Sequence, residues 1–310
     1  MFTYQKGLKK VHKKGIIKKG PQAHPTYFYP GVEMRFNLRR GFPLLTIRSL
    51  KGSWNAIISE LLWILSGSTN AYELRDNYGV KQLWQNYIGP CTALHAKNRY
   101  KGRAPGELGP IYGHQMRNHG ATMRKDGTFK NDGLDQLNMI VQMLKVMPEN
   151  RRIMATTWNL RDCNDDKDVT KEKTYIVPCH GSQLHFSAPQ DPGNPKRRLL
   201  NLVHFQRSGD MPIGIPFNIA EYALLMFLIG KITGYVPNEL IHFVSDAQIY
   251  SNQVPWIDPL LAPKPLALPT VTVPDISDLS IGTIKELKAS DFGLHDYNPH
   301  PAIKDIPVEL

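Results

Sequence analysis

Apolar residues at helical spacing predict two buried helices in this chain. In residues 51–66, six apolar side chains recur every three or four positions, and Gly67 follows as a stop signal. They are Trp54, Ile57, Ile58, Leu61, Leu62 and Leu65. Residues 218–232 predict a second buried helix, which ends before Gly234.

Partial alternation of apolar and polar residues predicts a strand over residues 199–207, with Arg207 at its end. The preceding residues 191–198 are rich in proline, glycine and asparagine, which favour turns, so they predict the tip of a long hairpin. The proline-rich residues 255–274 predict a surface crossing. No internal repeat or interdomain linker interrupts the pattern.

One carboxylate interrupts the first predicted helix. Glu60 lies inside its apolar segment. A carboxyl group in apolar surroundings tends to have a raised pKa and to carry protons, but Glu60 is equally consistent with the polar side of the helix. The pattern alone leaves both interpretations open.

Composition predicts a soluble globular protein, since 41% of the 310 residues are hydrophobic and 21% are charged. The longest apolar stretch, residues 222–230, is shorter than the roughly 20 residues of a membrane span. No charged leader followed by an apolar core opens the sequence. We therefore expect a cytoplasmic protein without a membrane partner.

The cysteines and histidines predict neither disulfides nor a metal site. Cys91, Cys163 and Cys179 are an odd number in a long chain, which favours a reduced compartment. The eleven histidines include no H-E-x-x-H pattern, and the cysteines form no C-x-x-C pair.

The formal net charge of +11 predicts an anionic partner: nucleic acid, a membrane surface or a small polyanion. Seven lysines in residues 1–20 predict a basic N-terminal arm. They are Lys6, Lys9, Lys10, Lys13, Lys14, Lys18 and Lys19. A solvated or partly disordered arm is the favoured interpretation, and contact with phosphate or nucleic acid is the alternative.

The most informative motif is Pro178-Cys179-His180, followed by residues 206–210 and 214–218. It combines a thiol with Arg207, whose guanidinium favours the thiolate, and with Asn218, whose amide offers one acceptor and two donors. Uracil pairs with that amide pattern, whereas cytosine presents the opposite polarity. Each residue alone has a more ordinary interpretation, such as a buried cysteine or a surface arginine. Together they predict a cysteine enzyme that acts on a uracil nucleotide.

With these motifs and other ordered blocks, most of the chain resembles the thymidylate synthase family. The blocks are residues 34–38, 41–44, 60–63, 108–113, 151–153, 158–159, Asp246, 249–252 and 297–301. The resemblance implies one α/β (α+β) domain, a mixed sheet flanked by helices, and a homodimer whose sheets pack together. Residues 21–310 would form this single catalytic domain after the arm of residues 1–20.

The resemblance also implies the chemistry. Cys179 would attack C6 of deoxyuridylate (dUMP), and C5 would then take the one-carbon unit of 5,10-methylenetetrahydrofolate. Asn218 would hold the uracil edge, Glu60 would organise water and move a proton near O4, and Tyr112 would belong to the network that removes the C5 proton. An ordering or packing role is expected for His180.

Binding residues follow from the same resemblance. Arg207 and Ser208 would bind the phosphate together with Arg151 and Arg152 of the second subunit. For the nucleotide, the other expected residues are Gln206, Asp210, Asn218, Gln248 and Tyr250. For the folate, they are Arg48 at its glutamate tail, Trp84 and Asp210 at its rings, and a closing C-terminal tail that ends at Leu310.

Several positions depart from the family pattern. Pro21 stands where a phosphate-binding arginine is usual, and Gln248 stands where a histidine is usual. In the same way, Gly209 replaces a cysteine, Met116 replaces a tryptophan, and Tyr87 replaces a second tryptophan on the folate side. These changes leave three functions open. Methylation giving thymidylate (dTMP) and dihydrofolate is favoured, a hydroxymethylase giving hydroxymethyl-dUMP and tetrahydrofolate is the alternative, and a noncatalytic nucleotide- or RNA-binding relative is third.

Overall fold

A seven-stranded mixed sheet forms the centre of the protein in the computed structural model. The structure describes residues 1–20, 22–81, 83–97, 104–163 and 176–309, and for residues 95–97 it describes the backbone without the side chains. The strand order of this sheet is β1-β2-β7-β6-β4-β3, and β5 pairs with β6. A separate pair joins β8 and β9. The strands are β1 (Ile16–Lys18), β2 (Thr26–Asn37), β3 (Met154–Ala155), β4 (Gln183–Ser187), β5 (Gln190–Asp191), β6 (Asn194–Asp210), β7 (Val236–Tyr250), β8 (Thr270–Thr272) and β9 (Gly293–His295).

Helices cover one face of this sheet, with α8 on β6 and β7 and α1 on β2. The helices are α1 (Phe2–Lys14), α2 (Trp54–Leu65), α3 (Ala71–Tyr78), α4 (Ile88–Lys97), α5 (Tyr112–Asn118), α6 (Gln136–Val146), α7 (Leu160–Cys163), α8 (Gly214–Thr233), α9 (Ile257–Leu261) and α10 (Ile281–Glu286). The mixed sheet flanked by helices confirms the predicted fold class.

The two helices predicted from apolar spacing are present. The helix α2 lies within the predicted residues 51–66, and α8 begins four residues before the predicted residue 218. Pro216 fits this earlier start because proline is tolerated in the first turn of a helix. Gly234 follows α8 with a φ of 74°, a left-handed conformation that suits glycine.

The helix α8 connects the parallel strands β6 and β7, whose other neighbours in the sheet are antiparallel. It is long and apolar enough to cross a membrane, but 78% of its most apolar window is buried within the protein. A helix that is apolar on all sides and covered by its own chain is typical of a protein core.

Residues 1–20 are more ordered than the favoured interpretation of a solvated arm. Tyr4, Leu8 and Val11 are fully buried on one face of α1, and the Tyr4 hydroxyl donates to the carbonyl oxygen of Met211 at 2.8 Å. Residues spaced by four and three positions share one face of a helix, so the apolar face packs while the lysines lie on the opposite side. The domain boundary at residue 20 stays a prediction.

The predicted hairpin tip is formed by β5 and the start of β6, which pair around residues 192–193. The strand β6 continues to Asp210, so Arg207 lies inside the strand rather than at its end. The predicted surface crossing at residues 255–274 contains the short helix α9 and the strand β8.

Candidate active site

The loop before β4 places Cys179 beside β6 and α5. The carbonyl oxygen of Cys179 accepts hydrogen bonds from the backbone N–H groups of Arg207 at 2.9 Å and Ser208 at 3.3 Å. Its Sγ lies 3.2 Å from the Tyr112 hydroxyl, which also accepts from the Cys179 N–H at 2.9 Å. The sheet thus fixes the backbone of the nucleophile, and α5 supplies a hydroxyl next to its sulfur.

Burial raises the pKa of the Cys179 thiol, while the Tyr112 hydroxyl and the Arg207 charge lower it. Burial is the largest of these effects, so the resting protein holds mainly the thiol at neutral pH. The Arg207 guanidinium lies 5.2 Å from the centre of the Trp158 ring and donates through Nε to the Pro178 carbonyl oxygen at 3.3 Å. This positive charge favours the thiolate that nucleophilic attack requires.

His180 orders the site rather than exchanging protons. Its ring stacks on Tyr112 with centroids 4.1 Å apart, and its Nδ1 lies 2.9 Å from the Tyr222 hydroxyl. Burial lowers the pKa of His180 to about 3, so the imidazole is neutral at physiological pH. The geometry fits the expected ordering role.

Gly181 is required by the packing of this loop. Its φ is +61°, and a Cβ at this position would lie 2.5 Å from the Tyr222 hydroxyl oxygen. Any side chain there would displace the tyrosine that contacts His180.

Glu60 is buried, which agrees with the interpretation of a carboxyl in apolar surroundings and not with an exposed one. Its Oε1 accepts from the Trp84 indole N–H at 2.6 Å. Burial raises the pKa of Glu60, whereas hydrogen bonds from Glu221 and Trp84 lower it. The helix α2 therefore presents a carboxyl that can hold a proton nearer neutrality than an ordinary glutamate.

Glu221 is a site residue that the sequence analysis missed. It is 1% exposed on α8, and its carboxyl group interacts electrostatically with that of Glu60. Burial and the Glu60 charge raise the pKa of Glu221. Two buried carboxylates this close repel each other, so the pair retains a proton. The signal in the sequence was a lone carboxylate inside an otherwise apolar helix.

Asn218 lies one turn before Glu221 and is fixed on both sides of its amide. Its Oδ1 accepts from Gln206 Nε2 at 3.0 Å, and its Nδ2 donates to Glu221 Oε2 at 3.1 Å. Each side keeps hydrogen-bonding capacity, because a carbonyl oxygen has two lone pairs and an NH₂ group has two protons.

The predicted phosphate-side residues are divided between two places. Ser208 is on β6, where its hydroxyl accepts from Gln248 Nε2 at 2.7 Å, and Tyr250 is buried at the end of β7. Arg151 and Arg152 are exposed in the turn before β3. Among the described residues, no hydrogen bond joins either arginine to the Cys179 loop or to β6. Pro21, which stands where a phosphate-binding arginine is usual, lies outside the described residues.

The predicted folate-side residues partly come together. The Trp84 ring has centroid distances of 6.0 Å to Trp63, 5.5 Å to Tyr87 and 5.7 Å to Tyr112, which gives an aromatic wall beside Glu60. Asp210 accepts from Gln253 Nε2 at 2.8 Å, and burial raises the pKa of Asp210 to about 7. These groups fit an aromatic ring system that carries N–H donors.

Arg48 does not fit its predicted contact with a folate glutamate tail. It is 5% exposed and donates to the carbonyl oxygen of Pro212 at 2.7 Å. Asp210 and Tyr4 are its charged and titratable neighbours. At 5% exposure the Arg48 side chain offers little surface to a tail in solvent.

The C-terminal tail is docked rather than frayed. The carbonyl oxygen of Pro307 accepts from Gln253 Nε2 at 2.9 Å, and Glu309 Oε1 accepts from Asn252 Nδ2 at 2.6 Å. His24 Nδ1 lies 2.7 Å from the same Glu309 oxygen. Leu310, the predicted last residue of the closing tail, lies outside the described residues.

In the described parts of the chain, no three His, Cys, Asp or Glu side chains are grouped so that they could hold a metal ion.

The thymidylate synthase family model matches residues 2–308. The chain belongs to the thymidylate synthase family. This match confirms the resemblance drawn from the motifs and includes nearly all of residues 1–20.

The chain is similar to several proteins named thymidylate synthase, and the similarity covers most of their length. The enzyme of varicella-zoster virus (strain Dumas) is 34% identical over 306 residues, which cover 98% of this chain and 92% of the relative. The human enzyme is 36% identical over 275 residues, 88% of this chain and 80% of the relative. The Saccharomyces cerevisiae enzyme is 37% identical over 276 residues, 88% and 84% respectively.

Proposed function

We propose that the chain converts dUMP to dTMP, with 5,10-methylenetetrahydrofolate as the cosubstrate and dihydrofolate as the second product. The observation that carries this proposal is the contact between Cys179 and Tyr112 in a site where Arg207, Asn218 and Glu60 also converge. Relatives named thymidylate synthase support the same reaction.

In the first step the Cys179 thiolate forms a bond to C6 of uracil, and the electron pair of the C5–C6 double bond moves toward O4. C5 thereby becomes a carbon nucleophile, which unmodified uracil is not. Arg207 favours the thiolate and so opposes the effect of burial, which raises the pKa of the thiol. The Tyr112 hydroxyl, which lies 3.2 Å from the sulfur, would pass the C5 proton to solvent in a later step.

Asn218 would donate from Nδ2 to uracil O4 and accept the N3–H at Oδ1. The Glu60 and Glu221 pair would supply and recover a proton at O4, since burial raises the pKa of both carboxyl groups. These two contacts stabilise the negative charge that develops on the base.

Bound methylenetetrahydrofolate supplies the one-carbon unit and the hydride. The residues present fit this group: Trp84 offers a ring face, and Asp210 offers carboxyl oxygens to N–H donors. The docked tail and the aromatic wall around Trp84 would keep water away from the reacting carbon. The nucleotide contacts of Gln206, Ser208, Gln248 and Tyr250 remain part of this proposal, and so does a tail contact by Leu310.

The alternative hydroxymethylase is not favoured, since the named relatives are thymidylate synthases. A noncatalytic nucleotide-binding relative is disfavoured because the nucleophile, the cation, the base-recognising amide and the carboxyl pair are all present. Cytoplasmic location stays a prediction, and the reaction requires no nucleic acid partner.

The products test the proposal. With dUMP and methylenetetrahydrofolate we expect dTMP and dihydrofolate in equal amounts, because the site excludes water while hydride is transferred. Chromatography with mass detection identifies the nucleotide, and the absorbance increase of dihydrofolate gives an independent measurement. Dominant 5-hydroxymethyl-dUMP with tetrahydrofolate would replace methylation by the hydroxymethylase reaction.

We also propose a homodimer that forms through the outer face of the sheet. Val203 is 39% exposed on this face, and Phe205 stacks on Phe243 with ring centroids 5.4 Å apart. Apolar side chains on a sheet face without covering helices favour packing against a second sheet. In this dimer Arg151 and Arg152 would reach the phosphate in the partner's site, where guanidinium groups bind oxygens bidentately.

Mixing two inactive variants tests this donation. We expect Arg151→Ala and Cys179→Ala to regain activity after subunit exchange, because one of the two hybrid sites receives both an intact thiol and an intact arginine. The matched control mixes Cys179→Ala with Glu60→Gln. Each of these substitutions damages the site of the protomer that carries it, so neither site of the hybrid dimer is complete. The measurement is dTMP formation after mass spectrometry has verified heterodimers. Verified heterodimers of the first pair without activity would refute donation across the interface.

A further inference from the structure

Two buried histidines connect the Cys179 loop to the amide that recognises the base. His204 on β6 and His242 on β7 are fully buried at paired positions of the parallel strands, and their Nδ1 atoms lie 3.3 Å apart. The Gly181 N–H donates to His204 Nε2 at 2.8 Å, and His242 Nε2 lies 2.9 Å from Gln206 Oε1. The connection continues through the hydrogen bond of Gln206 to Asn218.

The direction of these hydrogen bonds follows from the Gly181 end. A backbone N–H can only donate, so His204 Nε2 accepts and neutral His204 carries its proton on Nδ1. That proton is donated to His242 Nδ1, which leaves the proton of neutral His242 on Nε2, facing the oxygen of Gln206. Both rings are neutral because burial lowers the pKa of His242 to about 3 and that of His204 well below its ordinary value.

The opposite end gives the same direction independently. Gln206 Nε2 also donates to the carbonyl oxygen of Ser208 at 2.9 Å. A carbonyl can only accept, so the amide nitrogen of Gln206 lies on the side of Ser208 and its oxygen faces His242. Both ends therefore require one orientation of the Gln206 amide.

This orientation fixes Asn218 as well. The Gln206 nitrogen requires an oxygen opposite it on Asn218, so the Asn218 NH₂ group faces Glu221 Oε2. A flipped Asn218 amide would place its NH₂ group against the NH₂ group of Gln206. In a buried site such an unmatched contact is strongly unfavourable.

We propose that His204 and His242 are positioning residues that lock the Asn218 amide and thereby set the preference for uracil over cytosine. Cytosine offers an acceptor at N3 and a donor at its 4-amino group, so it would pair with the flipped amide. The lock excludes that orientation. This inference rests on the proposed function, in which Asn218 holds the edge of the base.

Two substitutions of His242 test the lock. His242→Leu removes both ring nitrogens and with them the hydrogen bond that orients the Gln206 amide. The ratio of kcat/KM for dUMP to that for dCMP should therefore fall at least about 10-fold, which is the effect of one lost hydrogen bond. His242→Gln keeps an amide donor toward Gln206 and should retain the ratio within about 3-fold. His295→Leu removes an exposed imidazole instead and serves as the control.

The outcomes separate the lock from a merely structural role. A folded His242→Leu with an unchanged ratio would overturn the inference, and so would equal losses of the ratio in His242→Gln and His242→Leu. A general loss of activity with an unchanged ratio likewise counts against it. Wild-type protein that does not convert dUMP would refute the proposed function instead. The imidazole tautomers alone would then test whether His204 and His242 fix the orientation of the Asn218 amide.

The tautomers can be measured without turnover. Long-range ¹H–¹⁵N spectra of the imidazoles should show a proton on Nδ1 of His204 and on Nε2 of His242 at pH 7. The signal set lost in His242→Gln assigns the ring of His242, and the set lost in His204→Gln assigns that of His204. Reversed tautomers, or charged rings at this pH, would overturn the inference even if His242→Leu does not fold.

Discussion

Cys179→Ala is expected to lose dTMP formation by a factor on the order of 10⁴ or more, because the variant lacks the thiol that would form the covalent bond to C6 and make C5 nucleophilic. The same variant should form no adduct with 5-fluoro-dUMP and methylenetetrahydrofolate, since fluorine at C5 prevents the later proton loss and traps only a bound thiol. Mass spectrometry of the intact protein measures the adduct.

Cys163→Ala is the matched control for this experiment. Cys163 is also buried, and burial raises the pKa of its thiol to about 11, so it is protonated at neutral pH. We expect this variant to form the adduct like the wild type. An adduct that persists in Cys179→Ala would remove Cys179 from the mechanism.

Glu60→Gln should lower kcat/KM by about 10²- to 10⁴-fold, the usual contribution of a positioned proton carrier. An amide of similar size keeps an oxygen for the Trp84 N–H but cannot supply or recover a proton at O4. The binding of dUMP alone, measured by calorimetry, should change much less, because Asn218 and the phosphate contacts stay in place.

Glu73→Gln provides the control for Glu60→Gln, because Glu73 is exposed in the first turn of α3. Its activity should equal that of the wild type. If Glu60→Gln weakens dUMP binding as strongly as it lowers kcat/KM, then Glu60 acts in binding the nucleotide and not in proton transfer.

The sequence could predict the elements whose pattern is local. The apolar spacing in α2 and α8 and the alternation in β6 depend on neighbouring residues, so both helices and the strand could be recognised. The strand β2 depends on β7, which lies about two hundred positions later in the chain, and no local pattern reveals that partner. The first twenty residues were misjudged because their lysines dominate the composition while three buried residues hold α1.

The same distinction applies to the site. Cys179, Arg207 and Asn218 could be predicted because they lie in short motifs with a recognisable chemistry. Glu221 and His242 could not, since a lone charged or imidazole side chain in an apolar segment gains its meaning from partners that only folding supplies. Arg48 shows the converse, because the family resemblance implied a cation available to a folate tail, whereas the chain buries it against a carbonyl oxygen.

The order of the strands has a consequence for synthesis of the protein. The strand β2 pairs with β1 and β7, and β7 also completes the parallel pair with β6. The centre of the sheet therefore cannot close until the ribosome has released residues 236–250, and pairing of such distant segments is slow. Until then β2 and β6 both lack their shared neighbour and expose unpaired backbone edges, which favour aggregation. We therefore expect the nascent chain to be most prone to aggregation before residues 236–250 have been synthesised.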